Sequence, residues 1–169
     1  MIYDDNSRPF SSLDSYNVAV CRPTAFAGGT TNARGDDGGT DDPHTLFTVT
    51  GDVIVRLWGV CTVDLATTTG TVAVGIANNT GLLLAALAAG DIDAGEIWND
   101  ATPAIGETLA NIAGPFVLPN GADIIETIAT ADVTAGNVYY ICLWRPVTEG
   151  LAADGTSIKG NVVAAGTQL

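Results

Sequence analysis

Basic residues are scarce in this chain. Six Lys and Arg stand against 19 Asp and Glu over 169 residues, a formal net charge of −13, and Lys159 is the sole lysine. A surface of that sign repels a phosphate backbone, so sequence-independent nucleic-acid binding is not expected and solubility is favoured. It attracts cations or a basic partner surface instead. Histidine is scarcer still: there is only His44, beside Pro43. Any Ser-His-Asp or Cys-His centre would have to be built on it, and its place before a strand-like run reads as capping or surface chemistry. No G-x-S-x-G elbow, P-loop or H-E-x-x-H is present. Carboxylate pairs of the glycosidase kind can be drawn from any chain this acidic and carry no information alone. No catalytic residue and no enzyme activity is expected.

Cysteine is equally sparse. Cys21, Cys61 and Cys142 are an odd, widely spaced set without a C-x-x-C, which argues against a disulfide framework and a zinc site. Cys61 and Cys142 lie inside apolar runs, where a thiol behaves as a small buried hydrophobe. A Cys61–Cys142 bridge is the alternative and would need an oxidising compartment. Long apolar runs are missing too. Leu82 to Ala89 is the longest candidate, far short of the roughly 18 residues of a membrane span, so no membrane partner is expected. Met1-Ile2-Tyr3-Asp4-Asp5 offers neither a basic nor an apolar leader region, and no signal peptide is expected.

What is present is β-pattern. Apolar residues make up 47% of the chain, enough for a core. Residues 1–43 are rich in Ser, Asn, Gly and Asp and read as an N-terminal arm, with a Gly/Asp loop from Gly28 to Pro43 and a short strand near Tyr16 to Cys21. Residues 44–148 read as the folded domain, and 149–169 as a Gly/Ala-rich tail. Within the domain, Thr45–Thr50 is β-branched and aromatic. It is followed by Val53–Val63, in which Val53, Val55, Leu57, Cys61 and Val63 share the core parity while Arg56, Trp58 and Thr62 take the other. Gly59 marks a bulge or a close backbone approach. Thr71–Ala77, Phe116–Leu118, Asp123–Thr130 and Asn137–Val147 are further strands, with turns at Gly51-Asp52, Pro119-Asn120-Gly121 and Asp132–Gly136. Leu82–Ala89 has helix-forming residues but strand-like length and glycine flanks, and reads as a strand. About seven or eight strands with no long amphipathic helix predict an all-β fold, a β-sandwich or jelly roll with an extended N-terminal arm.

Several motifs invite a function. Asp91-Ile92-Asp93-Ala94-Gly95-Glu96 is a partial calcium loop, making Asp91, Asp93 and Glu96 the metal candidates, but it lacks the third ligand and the closing Glu. Asp36-Asp37 and Asp41-Asp42 form a looser acidic cluster. No cofactor other than calcium has a candidate site. Arg34-Gly35-Asp36 matches an integrin tripeptide, a match that chance supplies readily in a Gly/Asp loop. Trp58, Trp98 and Trp144 could form a sugar-stacking platform. Trp58 and Trp144 lie in strands and read as core or interface residues, whereas Trp98 follows an acidic turn and is the best exposed candidate. Tyr140-Ile141-Cys142 resembles the Y-x-C of immunoglobulin domains, so an immunoglobulin-like sandwich is the alternative fold, although no Trp follows Cys61 at the usual distance.

From Leu46 to Val147 the chain resembles small acidic β-proteins of tailed-phage virions. The phrases that carry this are Leu46-Phe47-Thr48-Val49-Thr50-Gly51-Asp52-Val53, Gly59-Val60-Cys61, Asp91-Ile92-Asp93 through Glu96-Ile97-Trp98, Asp100-Ala101-Thr102-Pro103, Gly121-Ala122-Asp123-Ile124-Ile125 and Cys142-Leu143-Trp144-Arg145-Pro146. The resemblance implies a structural virion component, and a short, acidic, single-domain chain points among such roles to the capsid decoration or cement type. It would be assembled in the host cytoplasm, placed on the capsid surface, bound to the major capsid protein, and homotrimeric. A head-fibre or tail protein, or a carbohydrate- or cation-binding β module, is the alternative. Trp58 and Trp144 are the expected interface residues.

Overall fold

The computed structural model describes residues 16–30, 32–99, 102–147, 150–151, 157–158 and 160–165. The strands are β1 (Asn17–Cys21), β2 (His44–Thr50), β3 (Val53–Ala66), β4 (Thr71–Ile76), β5 (Asn79–Ala88), β6 (Ile97–Trp98), β7 (Phe116–Leu118), β8 (Ile124–Ala129), β9 (Ala135–Pro146), β10 (Gly150–Leu151), β11 (Ser157–Ile158) and β12 (Asn161–Ala164). One sheet runs β1-β9-β3-β6, with β7 also on β3, and the other runs β12-β2-β8-β4-β5. A separate hairpin joins β10 to β11.

The order of pairing is nested. β1 pairs with β9, β2 with β8, β3 with β6 and β7, and β4 with β5, all antiparallel. This is one long antiparallel ribbon folded over itself, the wiring of a jelly roll. Two more pairings, β3 with β9 and β4 with β8, close the ribbon into two facing sheets. The immunoglobulin-like alternative does not have this wiring and places its two cysteines across facing sheets. Here β3 and β9 are neighbours in one sheet, with Cys61 opposite Val138 and Cys142 opposite Leu57. An offset of about four residues at ~3.3 Å per residue is beyond disulfide reach. All three cysteines are free and buried.

Alternation explains most of the core. Val53, Val55, Leu57 and Cys61 of β3 meet Val72, Val74 and Leu84 from the other sheet and Val138, Tyr140 and Cys142 of β9. Register shifts break the period in β2, in β3 (twice) and between β4 and β5. Between Thr45 and Phe47 the register against β8 shifts, and consecutive Leu46 and Phe47 are both buried. Between Cys61 and Val63 the register against β9 shifts, so Val63 is turned out to 55% exposure and Leu65 takes the core position. The expected burial of Val63 is thereby corrected. Gly59 is a close approach in regular pairing rather than a bulge: a Cβ there would lie 2.9 Å from Val138 Cγ1 and 3.2 Å from Tyr140 Cε1.

The turns are laced by short polar side chains. Asn120 Oδ1 accepts from Gly51 N at 2.8 Å, Asp52 Oδ1 from Asn120 N at 3.0 Å, and Asp123 Oδ1 from Val49 N at 2.9 Å. These bonds tie the β2–β3 turn to the β7–β8 loop.

Of the segment read as an arm, residues 16–30 and 32–43 are built into the sandwich, and residues 1–15 lie outside the described residues. β1 is an edge strand, and the loop after it continues the pairing. Phe26 N donates to Gly136 O, Gly28 N to Val133 O and Val133 N to Gly35 O. In the tail, β12 pairs with β2 and extends the second sheet.

Candidate functional site

A charge lies inside the sandwich. Ile124, Glu126 and Ile128 of β8 are all buried, so a carboxylate occupies a core position between two isoleucines. Its partner is Arg34, from the loop between β1 and β2. Arg34 Nε donates to Glu126 Oε1 at 2.8 Å and Nη2 to Oε2 at 2.6 Å, a bidentate pair, while Nη1 donates to Thr24 O. The Tyr140 hydroxyl of β9 donates to the same carboxylate. The guanidinium stacks 3.8 Å from the Phe26 ring centroid. Burial by itself lowers the Arg34 pKa, but the charge and hydrogen bonds of Glu126 more than offset this and raise it. Burial, then the neighbouring Glu126 charge, holds the Tyr140 hydroxyl well above its usual pKa, against the pull of Arg34. The triad joins one loop and both sheets. The Arg34-Gly35-Asp36 tripeptide is therefore structural: its guanidinium is buried, and Gly35, at φ 102°, has no room for a Cβ beside Val133 O.

The three cysteines are insulated. Burial raises Cys21 and Cys61 to about 11 and Cys142 to about 12. His44 Nδ1 lies 2.9 Å from Asp41 Oδ2 at the start of β2, as expected of a surface or capping residue.

Of the calcium candidates, Glu96 serves the turn itself. Glu96 Oε2 accepts from Asp93 N at 3.0 Å, and the neighbouring Asp64 Oδ1 accepts from Ala94 N at 2.7 Å. Among the described residues no group of three or more His, Cys, Asp or Glu is placed to hold a metal. Trp98, expected to be exposed, is 0% exposed. It pairs with Gly59 and packs against Tyr140, ring centroids 6.3 Å apart. The missing side chain of Gly59 makes that burial possible, and no sugar platform exists there.

Trp58 and Trp144 lie on opposite faces of the first sheet. Trp144 follows Tyr140 and Cys142 in parity and packs against the core. Trp58 is on the outer face, opposite Ile141. Around it the cross-strand pairs are Ile54 with Arg145, Arg56 with Leu143, and Val60 with Tyr139. Val18 of β1 and Val117 of β7 flank this surface and are 61% and 65% exposed. The excursion between β6 and β7 reaches the same edge: Arg56 Nη1 donates to Leu109 O at 3.1 Å, and Leu109 and Ile105 are exposed. Outward positions of β3 up to Thr62 and of β9 carry no Asp or Glu. The long strands β3 and β9 carry this face, flanked by the shorter β1 and β7, and the largest apolar patch on a monomer is often a functional one.

A groove of about 450 Å³ opens between Pro43 and Thr45, the β4–β5 turn at Ala77-Asn78, and the Pro119–Asp123 loop, with Ile76 and Ile125 in its lining. Its Asn120 and Asp123 are already committed to backbone amides. It lacks the convergent polar groups that orient a small ligand. The outer face of the first sheet is thus the better candidate site. Comparison with protein-family models, curated proteins and solved structures finds no match for this chain.

Proposed function

We propose that the chain is a structural virion protein that decorates and cements an assembled tailed-phage head, and that it acts by protein–protein contact. The observation that carries this reading is the outer face of the first sheet. It presents Trp58, Ile54, Val60, Ile141 and Leu143 on a jelly roll whose interior is filled. Viral capsid proteins, lectins and cupins all use jelly rolls, so the fold alone does not choose among them. The resemblance of its sequence phrases to those of tailed-phage virion proteins favours the first. A cement protein binds the assembled shell in preference to free subunits and stabilises it by mass action. The major capsid protein is the partner, the capsid surface the location, and a homotrimer the working form.

The test is the heat stability of phage heads with and without the protein. Saturating wild-type chain raises the temperature at which heads release DNA, and Trp58→Glu, folded by circular dichroism, does not. Equal stability of bare and loaded heads removes the cementing role. Binding to purified tails in place of heads selects the tail or fibre alternative.

A further inference from the structure

All the accessible cations described in this acidic chain lie on one face. Of its six Lys and Arg, Arg8 and Lys159 lie outside the described residues and Arg34 is buried against Glu126. The other three are Arg22, Arg56 and Arg145. Arg56 and Arg145 point outward from β3 and β9, and Arg22 lies 5.7 Å from the ring centroid of Tyr139 on the same face. None of the three pairs with a carboxylate: among the described residues the ion pairs are Arg34 with Glu126 and His44 with Asp41. Arg145 stands over the Tyr16 ring at 5.3 Å, and its Nε is buried without a hydrogen-bond partner. In a chain with 19 acidic residues, three arginines ringing an apolar patch with no carboxylate partner among the described residues fit carboxylates supplied from outside.

We infer that the outer face of the first sheet docks on the acidic surface of a second copy of this chain. That surface is available: Asp37, Asp91 and Asp93 are exposed on loops outside this sheet. Two copies joined outer face to outer face would bring together two arginine-bearing faces whose outward positions on β3 up to Thr62 and on β9 hold no carboxylate, and like charges across an interface disfavour it. The contact is therefore heterologous, one face against a different face; such a contact closes into a ring where its rotation allows and runs on as a filament where it does not, and the homotrimer proposed above is the closed case. The apolar centre supplies the burial, and the arginines set orientation and partner choice. This rests on reading the face as a contact surface and adds what covers it. Cementing then works through the assembled oligomer, and Trp58→Glu fails on heads because it prevents that assembly.

Light scattering after size exclusion on the full chain, from low micromolar to submillimolar concentration, is the test. Wild-type chain runs as a small closed oligomer. Arg56→Glu combined with Arg145→Glu dissociates it, weakening self-association at least about tenfold, with an unchanged circular dichroism spectrum. Should that variant misfold, exposed Arg22→Glu is read in its place and shifts the equilibrium the same way. A wild-type chain monomeric throughout, or folded charge-reversal variants that associate like wild type, overturns the inference. A monomer that still raises head stability overturns this inference and leaves the proposed function standing; an oligomer without effect on heads does the reverse.

Discussion

Glu126 sits where its neighbours in the alternation, Ile124 and Ile128, are apolar, and Arg34 reaches it from a distant loop. Breaking a buried pair leaves a charge without solvent or partner, which costs about 3–5 kcal/mol, whereas replacing both members by apolar groups is far milder. Glu126→Ala is expected to lower unfolding stability by that amount in urea titrations, and Arg34→Met with Glu126→Leu to recover most of it. The same interior makes stability fall in alkali. Cys21, Cys61, Cys142 and Tyr140 all have folded pKa values raised above their ordinary ones, the thiols to about 11, 11 and 12 from 9.0. The unfolded chain then loses these protons first. Their contribution is fully present below about pH 9 and is lost as pH climbs through the folded values, at about 1.4 kcal/mol per pH unit for each group held protonated. Denaturation midpoints measured from pH 7 to 11 should be level at first and then drop. Native protein should also resist iodoacetamide at neutral pH, with three thiols reacting only after unfolding.

Strand by strand, β3 and β9 form the spine, with a register running from Val53 opposite Pro146 to Ala66 opposite Ala135. Their amides are expected to exchange most slowly in hydrogen-exchange measurements, because opening them disrupts both the first sheet and the core beneath it. Gly59 is a tight point within the regular part of that spine. Gly59→Val pushes a branched side chain against Val138 and Tyr140 and is expected to cost about 1–3 kcal/mol by overpacking, read from the thermal midpoint. Trp98 packs over the same glycine, so its fluorescence reports whether the site is intact.

For the molecule as a whole, the jelly roll presents a cationic, apolar outer face on a body of net charge −13. Such asymmetry gives each copy two unlike faces, the condition for the heterologous contact proposed above. Calcium is expected to leave the melting temperature unmoved, since the Asp91–Glu96 turn already uses Glu96 and Asp64 to satisfy its own amides. A calcium-dependent shift of several degrees would restore the cation-binding alternative.

Patterns local to the chain were enough for the all-β class, for the strands from Thr45 to Val147, and for the turns at Gly51 and Pro119–Gly121, because alternation and turn chemistry act within a few residues. The short β6 and β12 escaped that reading, as they are too brief to show a period and exist only through their partners β3 and β2. The outward turn of Val63 and the double burial of Leu46 and Phe47 come from bulges, which depend on the opposite strand. Glu126 did carry a sequence signal, a charge in the core parity of an apolar strand, but nothing in the sequence names Arg34 as its partner, 92 positions away. Trp98 read as exposed because an acidic turn precedes it; the empty space above Gly59 across the sheet buries it. The choice of a jelly roll within the sandwich class, and the gathering of Arg22, Arg56 and Arg145 on one face, belong to the tertiary structure alone. Both follow from which strands become neighbours, and long-range pairing is set by the joint closure of the core and not by any one segment's pattern.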